Sequence, residues 1–327
     1  MLDIIIPQYS EDEGVLKNLL DSIKNQKSIN FDEIKITIVN DCSDVVLSDA
    51  FLNSYTNLSI KYLRNIRNTG PGLARQYGVD NTNEEYITFI DSDDELSSDT
   101  SLIKVIEFLK HNSPNYLVTN IVTEVILDDK LTTIIKKRRN TMPWMHGKFY
   151  KREFLNKNNI RFHENIRHTE DSYYTTCVLG SIKPNELVFL DTETVLWKMN
   201  KNSITRKYDV SDYTFNTFEY VFNTPFYAYD FLVAHNSYLR FSYYVSSMFG
   251  LYMLLNSNVF NKKDRIPQKN DYENKLKNNI IKRRNIFILF KDNQLLDLWN
   301  NELNDLKCRL NLKEMSKTLN DFTKEML

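Results

Sequence analysis

Apolar and polar positions along the first hundred residues follow two periods, one typical of strands and one typical of helices. Strand-length apolar runs occur four times, at 3–7, 33–41, 59–65 and 85–91. Residues 13–26 instead place apolar side chains on one helical face, namely Val15, Leu16, Leu19, Leu20 and Ile23. Residues 70–81 predict the start of another helix. Strands that alternate with helices predict a mainly parallel sheet covered by helices.

The second half of the chain has a different pattern. The predicted elements are a helix over 101–112, a strand over 115–127, a loop into a helix over 142–160, a turn and a helix from about Glu170, and a strand over 187–200. From about residue 207 the pattern is helical and aromatic to the end. The sequence therefore predicts an α/β domain over 1–206 and a helical C-terminal module over 207–327.

The overall charge is close to neutral, with 42 Lys and Arg against 43 Asp and Glu. This balance argues against binding nucleic acid over the whole surface. Cys42, Cys177 and Cys308 lie far apart without metal-ligand spacing, which is typical of reduced thiols in a cytosolic protein. The start of the chain has no secretory signal pattern. We therefore expect a cytoplasmic protein.

Two segments of the C-terminal module stand out. Residues 241–255 form the most apolar window, which is too short for a comfortable membrane span and predicts a buried helix or part of a subunit interface. Residues 262–291 contain ten basic and three acidic side chains. The module is therefore expected to assemble subunits or to hold an anionic acceptor, and peripheral contact with the inner membrane face stays open.

Acidic residues directly follow two of the predicted strands. Asp41 follows the second, and Asp91, Ser92 and Asp93 follow the fourth. Because ligands bind at the carboxyl ends of parallel strands, these residues should share one edge of the sheet. An Asp-x-Asp pair can hold Mg²⁺ or Mn²⁺ together with phosphate oxygens. The alternative is a solvated acidic turn.

Other residues near this edge fit a nucleotide diphosphate. Gly70 and Gly72 would let the backbone approach a ligand, and Arg75 could pair with the acidic cluster or with a phosphate. The ring of Tyr9 could stack on a base, and Asp41 could accept the N3–H of a uracil. The alternatives are an exposed helical arginine and a core tyrosine.

Four segments, at 4–23, 36–44, 68–79 and 86–96, occur in an order and spacing that resemble the donor-binding half of the inverting family 2 glycosyltransferases. The resemblance covers about residues 2–205. It implies an A-type glycosyltransferase fold, a UDP-sugar donor and a Mn²⁺ or Mg²⁺ ion. It also assigns donor-site roles: Pro7, Tyr9, Glu11 and Asp41 at the nucleoside, Asn68, Arg75, Asp91 and Ser92 near the ribose and diphosphate, and Asp93, with Asp91, at the metal.

The resemblance extends to the acceptor side. It implies that Trp144 and His146 lie at the mouth of the acceptor site, that Glu170 also contacts the acceptor, and that Asp171 is the catalytic base. It further implies that Arg206 or Lys207 closes over the diphosphate. For His146 the alternative is a hydrogen-bonded surface histidine. For Asp171 it is an acid that stabilises the helix N-terminus.

One departure from the family concerns the turn after the second strand. The usual acidic pair and glycine appear here as Asn40, Asp41 and Cys42. Asp41 is the half of the pair that contacts the base, so uracil binding is expected to persist. The turn at Cys42 is expected to differ.

The implied reaction is hexosyl transfer in one inverting displacement, with removal of the acceptor proton by a carboxylate. The acceptor stays open between a cell-wall polymer or surface glycan, a lipid-linked saccharide and a modified nucleic-acid base. Two other readings compete: a nucleotidyltransferase, which would show a basic glycine-rich segment where this chain has residues 7–14, and an inactive nucleotide-sugar-binding scaffold.

Overall fold

The computed structural model describes residues 1–126, 133–138, 144–198, 210–260 and 262–283. The chain divides into two compact units, Met1–Asn202 and Ser203–Leu327. The functional division predicted at residues 206 and 207 remains a prediction.

The first unit is built on a sheet of nine strands among the described residues. These are β1 (Leu2–Gln8), β2 (Ile34–Asn40), β3 (Ser59–Arg64), β4 (Tyr86–Phe89), β5 (Glu95–Leu96), β6 (Tyr116–Ile126), β7 (Thr133–Arg138), β8 (Lys148–Lys151) and β9 (Val188–Trp197). The order is β3-β2-β1-β4-β8-β6-β9-β5, with β7 paired to β6. The strands from β3 to β4 are parallel, as predicted, whereas β8 is antiparallel to both of its neighbours. The α/β prediction is confirmed.

Helices cover this sheet and form the second unit. In the first unit they are α1 (Glu13–Lys24), α2 (Asp49–Asn53), α3 (Pro71–Asp80), α4 (Ser101–Asn112), α5 (Arg152–Lys157) and α6 (Glu170–Ser181). In the second they are α7 (Val210–Asn216), α8 (Phe218–Ala234), α9 (Arg240–Leu255) and α10 (Ile266–Lys282). No helix in these described ranges is long and apolar enough to cross a membrane.

The apolar run of β1 is buried on both faces of the sheet. Leu2, Ile4 and Ile6 belong to the core that includes the apolar face of α1. On the other face, a Cβ added to Gly78 of α3 would lie 2.5 Å from Cγ2 of Ile5, so α3 packs directly on the strand. A strand covered on both sides needs no polar alternation, which explains its continuous apolar run.

Strand β8 lies within a segment predicted as a loop into a helix. The helix is α5, but the four residues before it pair with β4 and β6. Gly147, directly before β8, has φ +64° and therefore uses a conformation that favours glycine. The strand is too short to show a period in the sequence, and long-range pairing forms it.

A buried ion pair ties β1 to α5. Arg152 Nη2 lies 2.6 Å from Oδ2 of Asp3, whose side chain is 1% exposed, and the same guanidinium donates to the carbonyls of Val79 and Glu84. We expect Arg152→Met to lower the free energy of unfolding by about 3–5 kcal/mol, because Asp3 would be left buried without its partner. Chemical denaturation measures this change.

The matched control is Arg161→Met, which breaks the exposed pair between Arg161 and Asp80. That change should cost less than about 1 kcal/mol. Equal losses in the two variants would contradict the assignment of the stabilising effect to the buried pair.

The second unit has its own core between α8, α9 and α10. Tyr244, Met248, Leu251 and Leu255 of α9 are buried, so the predicted buried helix over 241–255 is confirmed.

Several cations of the basic segment pair with acids inside the unit: Lys262 and Arg265 with Asp212, Lys269 with Glu273, Lys275 with Asp271, and Arg283 with Asp230. The sequence count therefore overstates the unpaired charge of this segment. Subunit assembly and acceptor binding by the module remain predictions.

Candidate active site

The loop after β1 forms one wall of the predicted donor site. Pro7 lies near the end of β1, and the ring of Tyr9 is 50% exposed. The backbone N–H of Tyr9 donates to Oε2 of Glu11 at 2.9 Å. The buried Gln8 donates to the carbonyls of Glu11 and Val45, which links this loop to the one after β2. The exposed ring is thus held on an ordered loop, where a base could stack on it.

Asp41 organises the loop that leads into α3. Its carboxylate accepts from the backbone N–H groups of Thr69 and Gly70, and from the side chains of Asn65 and Thr69. Both oxygens therefore already accept hydrogen bonds, and a uracil N3–H would have to share one of them. The predicted base contact of Asp41 remains a prediction.

Cys42 adopts φ +60°, in the left-handed region that favours glycine. We expected the turn at Cys42 to differ from the family's turn, which has a glycine at this position. The backbone conformation of Cys42 is nevertheless one that suits a glycine.

Arg75 connects two of the predicted site elements. Its Nη2 lies 2.5 Å from Oδ1 of Asp91 at the end of β4, and its Nη1 lies 3.0 Å from Oε1 of Glu170 at the start of α6. The side chain of Arg75 is only 5% exposed. The structure therefore brings Arg75, Asp91 and Glu170 together as a buried bridge. The sequence offered two partners for Arg75, the acidic cluster and a phosphate. The structure shows a contact with the acidic cluster through Asp91, and a contact with a phosphate remains a prediction.

His146 lies on the other side of Asp91. Its Nε2 is 3.2 Å from Oδ2 of Asp91 and 2.8 Å from Oδ2 of Asp94. Burial alone would lower the pKa of His146, but the charges of Asp94 and Asp91 more than offset it and raise this pKa. Burial also opposes ionisation of Asp91, yet Arg75 and His146 hold its pKa well below its usual range. His146 is thus buried among carboxylates, whereas the sequence placed it at the mouth of the acceptor site.

Asp91, Asp94 and His146 also form a group that could hold a metal ion. One ligand atom from each lies within 4.8 Å of the others. Carboxylate oxygens suit Mg²⁺ and Mn²⁺, and an imidazole suits several transition metals, so the donor set fits a divalent cation. Ser92 is buried in the same turn, and Asp93 is half-buried there.

Asn68 lies at the exposed tip of the loop that Asp41 holds. Arg167 Nη2 donates to its side-chain oxygen at 2.6 Å and to its carbonyl at 2.9 Å. This contact ties the predicted donor loop to the segment that precedes α6.

The N-terminus of α6 carries the predicted base. Asp171 is partly exposed, and its Oδ1 accepts from the backbone N–H of Ser172 at 2.7 Å. Thr169, before the helix, has φ +64°, which is uncommon for a β-branched residue.

Lys148 of β8 is 1% exposed and donates to the carbonyl of Trp144. Burial lowers the pKa of Lys148 to about 7, and the charge of Asp171 partly opposes this shift.

Two tryptophans border the predicted acceptor side. Trp144 and Trp197 stack with ring centroids 5.6 Å apart and an interplanar angle of 19°. Directly after Trp197, the backbone N–H of Lys198 donates to Asp94 Oδ1 at 3.0 Å. Arg206 and Lys207, predicted to close over the diphosphate, lie outside the described residues.

The sequence missed two participants in this arrangement. Asp94 was considered only as part of the alternative, a solvated acidic turn, yet it is 2% exposed. Its Oδ1 accepts from the backbone N–H of Lys198, directly after β9, and its Oδ2 lies 2.8 Å from Nε2 of His146. Lys148 gave no sequence signal, because a single lysine in an unrecognised strand looks like an exposed residue.

Comparison with known proteins shows which family of proteins this chain resembles. A family model, "Glycosyl transferase family 2", matches residues 3–168. The minor teichoic acid biosynthesis protein GgaB of Bacillus subtilis is 28% identical over 201 residues, which are 57% of this chain and 22% of that protein. Poly(ribitol-phosphate) beta-N-acetylglucosaminyltransferase TarS of Staphylococcus aureus is 25% identical over 182 residues, which are 53% of this chain and 31% of that protein.

The fold is shared with solved structures. The structure of S. aureus TarS 1–349 in complex with UDP-GlcNAc matches with a TM-score of 0.61 and 20% identity, over 84% of this chain and 80% of that one. Against the full-length relatives GgaB and TarS, this chain spans less than a third of their length.

Proposed function

Because this chain belongs to glycosyl transferase family 2 and is a glycosyltransferase, we propose that it transfers a sugar from a UDP-sugar to a hydroxyl group of a saccharide-type or polymer acceptor. The observation that carries this proposal is the meeting of two elements at one edge of the sheet. Asp91 at the end of β4 and Glu170 at the start of α6 are bridged by Arg75. This bridge supports one site that includes the acidic turn on the donor side and Asp171, the neighbour of Glu170, as the base.

The donor would bind along the ends of β1 and β2. Tyr9 offers an exposed ring to a base, and Asn68 offers polar groups on the loop that Asp41 orders. The choice of UDP rests on the predicted role of Asp41, and a related protein of the same fold, S. aureus TarS, has been solved with UDP-GlcNAc.

A divalent ion would be held by Asp93 and Asp91, beside the group formed by Asp91, Asp94 and His146. When bound, such an ion neutralises negative charge on a diphosphate leaving group. Asp94 and His146 would hold the turn in place through their contact with each other and through the hydrogen bond that Asp94 accepts from Lys198, directly after β9. Their part is to fix the direction of the neighbouring carboxylates.

Asp171 would act as the base. An acceptor hydroxyl is a weak nucleophile until its proton is removed, and a carboxylate within hydrogen-bond reach can accept that proton. As the acceptor oxygen forms a bond to the anomeric carbon, the bond from that carbon to the UDP oxygen breaks and the electron pair leaves with UDP. One displacement from the opposite face inverts the anomeric centre.

We propose a cell-wall or surface glycan as acceptor. The support comes from relatives named for teichoic acid biosynthesis and for poly(ribitol-phosphate) glycosylation. A polyol-phosphate polymer also carries the negative charge that a basic segment could attract. With a nucleotide-sugar donor and cysteines of the reduced type, we propose that the reaction takes place on the cytoplasmic side.

The direct test offers the protein a panel of UDP-sugars with Mn²⁺ and a poly(ribitol phosphate) acceptor, and measures released UDP. We expect one UDP-sugar to release UDP well above the others, with a further rise when the polymer is present. No release with any UDP-sugar, by a protein that is folded by circular dichroism, would contradict the proposal.

A further inference from the structure

Helices α3 and α6 approach each other closely at their N-termini. A Cβ added to Gly72 of α3 would lie 2.9 Å from Cγ and 3.0 Å from Cβ of Glu170, and 3.1 Å from Cδ1 of Phe162. Such distances leave no room for a larger residue at Gly72. The side chain of Glu170 is therefore pressed against the first turn of α3.

Arg75, one turn further along α3, binds the other end of the same side chain. Its guanidinium joins Oε1 of Glu170 to Oδ1 of Asp91, and Glu170 is only 12% exposed. Glu170 is thus held by packing on one side and by a charged hydrogen bond on the other. An acceptor sugar has little access to a carboxylate in this position.

Glu170 is the first residue of α6 and Asp171 is the second, so these contacts hold the turn that carries Asp171. Thr169, directly before the helix, has a left-handed backbone conformation. Asp171 bonds to its own neighbour Ser172. The direction in which the first turn presents Asp171 should therefore depend strongly on Glu170.

We propose that Glu170 is a positioning residue, which fixes the first turn of α6 to α3 and, through Arg75, to the end of β4. This inference rests on the proposed function of Asp171 as the base. It differs from the prediction that Glu170 contacts the acceptor.

The first test is Glu170→Gln, which keeps the shape and removes the charge. We expect kcat for transfer to fall about 10- to 100-fold, because a displacement of about 1 Å of a reacting group has effects of that order. The KM values for UDP-sugar and for acceptor should stay within about twofold. A raised acceptor KM at unchanged kcat would overturn the proposal and restore the predicted acceptor contact.

The second test is Gly72→Ala, which changes no charged or polar group. It should push Glu170 away and lower kcat in the same manner. Two control variants should match the wild type: Glu107→Gln, an exposed residue of α4, and Gly250→Ala, where an added Cβ meets nothing within 4 Å. Wild-type kcat in both Glu170→Gln and Gly72→Ala would overturn the proposal.

A third measurement needs no substrate. Hydrogen exchange of peptides covering residues 168–178 should be faster in Glu170→Gln and Gly72→Ala than in the wild type and in both controls. Unchanged exchange in both variants would overturn the proposal. Because this readout is independent of turnover, it separates failure of the positioning role from failure of Asp171 as the base, which Asp171→Asn tests.

Discussion

Asp171→Asn should lower sugar transfer by about 10²–10⁴-fold, the range typical for loss of a general base. The amide is similar in size to the carboxylate but accepts no proton from the acceptor hydroxyl. Binding of the UDP-sugar should persist, because Asp171 lies on α6 and the donor loops follow β1, β2 and β4. Initial rates of UDP release with acceptor, and calorimetric titration with the donor, measure the two quantities.

The control for this change is Asp32→Asn, an exposed aspartate on the first unit. It should leave both transfer and donor binding unchanged. Near-normal transfer by Asp171→Asn would mean that another group is the base. Glu170 would then be a poor substitute, since its carboxylate is bound to Arg75.

The first half of the fold could be predicted because each element has a local signal. Buried strands β1, β2 and β4 are apolar runs, and α1 carries one apolar face. The antiparallel strand β8 could not be predicted, because its four residues become a strand only by pairing with β4 and β6.

The site shows the same difference between local and long-range information. The acids after β4 and the helix start at Glu170 are visible in the sequence, and pairing of Arg75 with those acids was one of two predicted options. The bridge from Arg75 to Glu170 was not predicted. The contact of His146 with Asp91 and Asp94 was not predicted. Thr88 pairs with Phe149, and extending this antiparallel register by three residues places His146 opposite Asp91. The missed contact therefore follows from the missed strand.

The family match ends at residue 168, just before Glu170 and Asp171. The assignment of the base therefore rests on the resemblance of residues 168–174 to the family's Glu-Asp motif, in a part of the chain that the family match does not reach. This makes substitution at Asp171 more informative about mechanism than any further comparison of sequences.

Removal of divalent ions should abolish transfer, and Asp93→Ala should have the same effect on a protein that stays folded. The sequence places Asp93 at the metal. In the structure both oxygens of Asp91 already face cationic side chains, Oδ1 facing Arg75 and Oδ2 facing His146. Because those side chains already balance the charge of Asp91, we expect the added positive charge of a metal to depend most on Asp93.

Titration with Mn²⁺, followed by the loss of its free-ion electron paramagnetic resonance signal, separates the two donor sets. Asp93→Ala should weaken Mn²⁺ binding more than His146→Gln does, and Asp32→Ala should not change it. If His146→Gln has the larger effect, the ion belongs instead to the group of Asp91, Asp94 and His146. Full turnover in excess EDTA would show that the carboxylates after β4 act without a metal, with Arg75 and His146 supplying the positive charge at this edge of the sheet.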